Sequence, residues 1–86
     1  MNKLSRQQEL VLQTVENFVR DNGYSPTLAD ISSVMGVRKT SVNYALRRLE
    51  TKGRIELAYE DDRLLTRGIF LKGQRDHVMR SVENRN

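Results

Sequence analysis

The 86-residue sequence predicts one small, mostly α-helical domain closed by a β-hairpin. Three observations carry this. Apolar residues recur at helical spacing in three separate stretches before position 52. Gly23, Gly36 and Gly53 fall where those stretches end, as left-handed helix terminators do. After Gly53 the apolar period drops from 3.6 to 2, which is the signature of half-buried strands.

Met1 to Leu4 reads as a lead-in. Ser5 followed three residues later by Gln8 forms a capping box, so the first helix starts near Arg6. Val11, Leu12, Val15, Phe18 and Val19 make its buried face, and Asn22-Gly23 stops it. Pro26 pushes Ser25 out of the α region, and Thr27 then caps a short second helix from about Leu28 to Met35, with Asp30 at its third position. Leu28, Ile31, Val34 and Met35 are its apolar residues. Gly36 supplies a left-handed residue for the next turn, and Val37 plugs the angle between helices.

The third helix, at about 40–52, starts between Lys39 and Ser41, with Thr40 as its expected cap. Val42, Ala45, Leu46 and Leu49 fall at i, i+3, i+4 and i+7, one stripe of a helix. The opposite face carries Ser41, Asn43, Tyr44, Arg47, Arg48 and Lys52. Ile55, Leu57 and Tyr59 then alternate as a strand, Glu60-Asp61-Asp62-Arg63 turns, and Leu64 to Lys72 returns with Gly68 at a bulge. Leu64 and Phe70 share a parity opposite to Leu65, Ile69 and Leu71, so one set is expected on the open face. Three helices followed by a two-stranded wing make a winged helix-turn-helix. The domain is assigned to 1–72, and 73–86 is a polar tail whose Val78, Met79 and Val82 form a thin helical stripe too weak to fold alone.

A chain this short buries only roughly 60% of the surface it exposes when unfolded, enough for one modest core. It has no cysteine, no apolar run near the roughly 18 residues of a membrane span, and no signal-peptide pattern at its start, so a cytoplasmic protein without a membrane partner is expected. The net charge of +4 says little alone, but its distribution says more. Arg38 to Arg54 holds six basic residues against the single acid Glu50, a balance of +5 that leaves the rest of the chain at −1. A local basic patch on a helix face is the footprint of phosphate binding.

Within that patch, Arg47 and Arg48 suit phosphates or a guanine edge, against the plainer reading of a solvated face. Asn43 suits adenine. Tyr44 suits a sugar or a thymine methyl and equally suits the edge of the core. Arg38, Lys39, Thr40 and Ser41 stand at the helix entrance, where backbone contacts are made, with Lys52 further along. Thr27 has a hydroxyl for phosphate besides its capping duty. Arg63 and Arg67 are the wing cations, although the tip itself is acidic. Phe70, with Val78, Met79 and Val82, is the candidate dimer or partner surface, against a tail folded back on its own wing. His77 has no second ligand at metal spacing, and no catalytic constellation is visible, so neither a metal, a cofactor nor an enzyme activity is expected.

The run from Leu4 to Val37, above all GYSPTLADIS followed by a short helix and Gly36, resembles the N-terminal DNA-binding domain of LexA-type repressors, as does Gly-Ile-Phe with LKG at the close of the wing. The segment GVRKTSVNYALRRLETKGRIEL resembles the general GntR-type winged-helix pattern. Together the resemblances cover roughly 4–72. Relative to LexA-type sequences the turn and start of the third helix are one residue shorter, so that family's base-reading positions map only approximately onto Ser41, Asn43 and Tyr44. The protease domain of full LexA repressors does not follow in this sequence, so self-cleavage and that domain's dimer surface are not expected of it.

The resemblance and the basic patch together imply a sequence-specific double-stranded DNA-binding regulator, a repressor that acts by occlusion, read by the third helix in the major groove. A homodimer or a second regulatory protein would supply extra specificity. The competing expectation is a protein-interaction module, an antirepressor or corepressor, that docks through the acidic wing tip or the Phe70 face.

Overall fold

The computed structural model describes residues 3–61 and 63–72, and the tail residues Val78, Met79 and Val82 lie outside that range. Helices α1 (Arg6–Asn22), α2 (Leu28–Met35) and α3 (Lys39–Thr51) precede strands β1 (Ile55–Glu60) and β2 (Arg63–Leu71), which pair antiparallel. This is the winged helix-turn-helix that the apolar periods predict.

Local chemistry sets the first two helix starts. The Ser5 hydroxyl accepts from the Gln8 backbone N–H, and Gln8 Oε1 accepts in return from Ser5 N at 3.2 Å. Thr27 and Asp30 repeat the exchange at 3.0 and 2.9 Å, which satisfies two otherwise orphaned N–H groups at the start of α2. Gly23 and Gly36 end these helices at φ 78° and 68°, a region that costs other residues steric strain. In the turn after α2, the Ser32 hydroxyl donates to the Val37 carbonyl.

The third helix departs from expectation at its cap. Arg38, not Thr40, is the N-cap, and it makes no side-chain cap hydrogen bond. Thr40 already lies inside the first turn. Here the preceding turn positions the helix, because half-buried Val37 packs against the core while the Val42 N–H bonds back to the Arg38 carbonyl. At the other end Lys52 is the C-cap, and Gly53 takes the left-handed conformation one residue later.

Val11, Leu12 and Val15 of α1, Ile31 of α2, Val42, Ala45, Leu46 and Leu49 of α3, and Ile55, Leu57 and Ile69 of the hairpin form one core. Val19, Leu28 and Met35 pack partly against it, Phe18 is half-buried against Tyr24 rather than in the core, and Val34 points outward.

The wing corrects the expected parity of β2. Leu57 pairs with Ile69 and Tyr59 with Leu64, so two steps along β1 oppose five along β2. The excess of three residues is a bulge, and because three is odd it transfers Leu64 to the face of Ile69 and Leu71. Leu64 and Leu71 accordingly pack against the core, whereas Leu65 is exposed. Phe70 is half-buried opposite Glu56.

Gly68 closes the bulge where the chain passes nearest to β1. A Cβ there would lie 2.9 Å from the carbonyl oxygens of both Ala58 and Leu65, and neither backbone can swing aside as a side chain would. Gly68→Ala is therefore expected to destabilise the domain by about 1–2 kcal/mol, read as a lower urea midpoint.

Candidate nucleic-acid interface

The core stripe of α3 decides what its other face presents. With Val42, Ala45, Leu46 and Leu49 buried, Thr40, Tyr44, Arg47 and Thr51 recur at i, i+4, i+7 and i+11 on the opposite side, and all four are exposed. Tyr44 is 65% exposed, which settles its orientation away from the core edge. Exposed Arg48 and half-buried Ser41 flank this stripe on one side, with Lys39 and Asn43 on the other.

The charge of this face is uncompensated among the described residues. Among the described residues the ion pairs are Arg20–Asp21 and Arg67–Asp30, so no carboxylate neutralises Arg38, Lys39, Arg47 or Arg48. The first turn of α3 contains no acid, and its backbone N–H groups add the positive end of the helix dipole. The Arg47 guanidinium rests over the Tyr59 ring, 4.8 Å from its centroid, which joins the outward face of α3 to the wing. Burial and the neighbouring Glu50 carboxylate hold the Tyr59 phenol above its ordinary pKa, so the ring stays neutral beneath the cation.

Two other sequence-identified cations point elsewhere. Lys52 Nζ donates to the Gln8 amide oxygen at 2.7 Å and to the Lys3 carbonyl at 2.9 Å, tying the end of α3 to the start of α1. Gln8 is nearly buried, and its amide oxygen serves both this lysine and the α1 capping box. Arg67 donates through Nη1 to the Ser25 carbonyl at 2.8 Å and lies 3.5 Å from Asp30 Oδ2. The Thr27 backbone N–H, the largest influence, and the arginine together hold the Asp30 carboxyl below its usual pKa.

The remaining wing cation, Arg63, is exposed at the hairpin end, opposite Glu60. Asp61 turns the chain there in the left-handed conformation, φ 51°. Thr27 sits at the start of α2 with its hydroxyl oxygen occupied as a cap acceptor while its O–H remains a donor. The Gln8–Lys52 and Tyr24–Arg67 contacts escaped the sequence reading because the partners lie far apart along the chain.

Comparison with known proteins bears on what this surface meets. A family model described as the LexA DNA binding domain matches residues 1–63, which include all three helices and β1. The chain belongs to the LexA DNA-binding domain family. It is 41% identical over 56 residues to the LexA repressor of Herpetosiphon aurantiacus, covering 64% of this chain and 26% of that protein. It is 41% identical over 71 residues to the LexA repressor of Alcanivorax borkumensis, covering 81% and 33%. With the LexA repressor of Leptospira biflexa the identity is 30% over 79 residues, covering 92% and 38%. The chain thus spans between about a quarter and two-fifths of the length of these curated relatives. No helix among its described residues is long and apolar enough to cross a membrane.

Proposed function

We propose that this chain is a sequence-specific double-stranded DNA-binding repressor that reads the major groove with α3. The observation that carries the reading is the outward face of α3, where four cations have no acidic partner among the described residues of a LexA-type DNA-binding domain. Arg38, Lys39, Thr40 and Ser41 at the helix entrance, with the Thr27 hydroxyl, contact phosphates and set the register. Asn43, Tyr44, Arg47 and Arg48 follow at base-reading depth, where Asn recognises adenine and Arg recognises guanine by paired hydrogen bonds. Arg63 extends the contact to the backbone from the wing. Lys52 supports the helix from behind and stays off the DNA.

One such module covers few base pairs, so two copies on paired half-sites supply the specificity a promoter requires. Repression then follows from occupancy, because a bound dimer excludes other proteins from the same groove.

A random duplex pool presented at about 50 and about 200 mM salt tests this. The reading predicts an enriched motif with twofold symmetry and retention that falls steeply with salt. No retained duplex at the lower salt would refute it.

A further inference from the structure

We propose that Arg67 is a positioning residue, which straps the bulged wing strand to the start of α2 and so fixes the angle of the wing to α3. Half of the hairpin needs no strap, since Ile55, Leu57 and Ile69 are buried in the core. Beyond the bulge the situation changes. A groove of about 350 Å³ opens between Thr27, Ala29 and Lys39 on the helical side and Leu65 and Thr66 on the strand. Arg67 lines that groove, and its guanidinium reaches from the strand to the segment at the start of α2.

Three unlike partners hold its guanidinium. Nη1 donates to the Ser25 carbonyl at 2.8 Å, the Asp30 carboxylate lies 3.5 Å away, and the Tyr24 ring is stacked 4.5 Å below the guanidinium carbon. Tyr24 is itself fixed edge-on against Phe18 of α1, at 5.6 Å and 74°. A planar, permanently charged fork is the side chain that satisfies all three at once. The backbone of Arg67 is left-handed, φ 58°, a conformation a non-glycine residue keeps when its surroundings over-determine it. Asp30 meanwhile accepts from the Thr27 backbone N–H, so the strap ends on the group that caps α2. The wing tip is thereby referenced to the start of α2, as the Arg47–Tyr59 contact references it to α3. Arg67 lies beyond the 1–63 stretch the family model matches.

The role in DNA binding rests on the reading that Arg63 approaches the backbone, so the test has one arm without DNA. Because the sequence has no cysteine, Ser33→Cys on the exposed side of α2 and Glu60→Cys at the wing tip give a clean spin-label pair in the full chain. A single narrow distance distribution is expected, and it should be lost in both Arg67→Ala and Arg67→Gly. The glycine variant relaxes the left-handed backbone and so guards against simple misfolding. An unchanged distribution in both variants overturns the proposal.

The second arm measures duplex binding by Arg63→Ala, Arg67→Ala and the double variant. Positioning predicts that the loss caused by Arg63→Ala disappears once Arg67 is gone. Losses that simply add would make Arg67 an independent contact and overturn the positioning role. If Arg63→Ala costs nothing in the parent while the distances still broaden, the wing's approach to DNA fails and the strap stands.

Discussion

Leu46→Ala is expected to destabilise the domain by about 2–5 kcal/mol. Leu46 is fully buried at the middle of α3, in the one cluster that joins all three helices to the hairpin. Truncation removes the transfer energy of three carbons and leaves a void in a cluster whose other members, such as Val15, Ile31 and Ile69, are pinned on separate elements. A domain of this size has a total stability of only about 4–10 kcal/mol, so one such cavity removes a large fraction of it. Urea denaturation should show a much lower midpoint at similar slope. Val34→Ala is the matched control, because Val34 is 68% exposed and its loss should change stability by less than about 0.5 kcal/mol. Equal effects from the two variants would mean that the core is not where it is described.

The second large effect is on binding. Replacing both Arg47 and Arg48 with alanine should weaken duplex binding about 10- to 100-fold and flatten the dependence of log K on log salt by up to about 2. Both side chains are exposed and neither belongs to the core, so the fold should survive the change. The cost to stability is the Arg47–Tyr59 contact, about 0.5–1 kcal/mol at an exposed site. Arg20→Ala removes a cation from the end of α1 that is paired with Asp21, and it should leave the salt slope unchanged. An unaltered slope in the double variant would show that Arg47 and Arg48 do not meet phosphates.

What the sequence makes legible here is what is local. Ser5 with Gln8 and Thr27 with Asp30 act three residues apart, so both capping boxes could be read directly from spacing. The buried stripe of α3 is likewise a matter of period, and it carries the exposed face with it. The cap of α3, unlike its start, is not legible, because no side chain caps it and a threonine two residues on offers a false signal. The wing was harder. Alternation over 64–71 assumes an unbroken strand, and a three-residue bulge reverses the side on which Leu64 falls. Gly68 marks the bulge, but a glycine alone does not say how many residues it contains.

The interface shows the same division. Composition located a basic patch without showing which cations are available to a ligand. Lys52 is engaged by Gln8, 44 residues away, and Arg67 by Ser25, 42 residues away, and contacts of that separation leave no periodic trace. The folded chain therefore concentrates the free positive charge on the stretch from Arg38 to Arg48 more sharply than its sequence suggests.

That concentration is the central claim, and backbone amide shifts of the isotopically labelled chain, titrated with the enriched duplex, test it most directly. The account predicts the largest changes from Arg38 to Arg48, smaller ones at Thr27 and Arg63, and almost none along the outward side of α1 around Leu10 and Asn17. Changes centred on α1 with α3 undisturbed would contradict it.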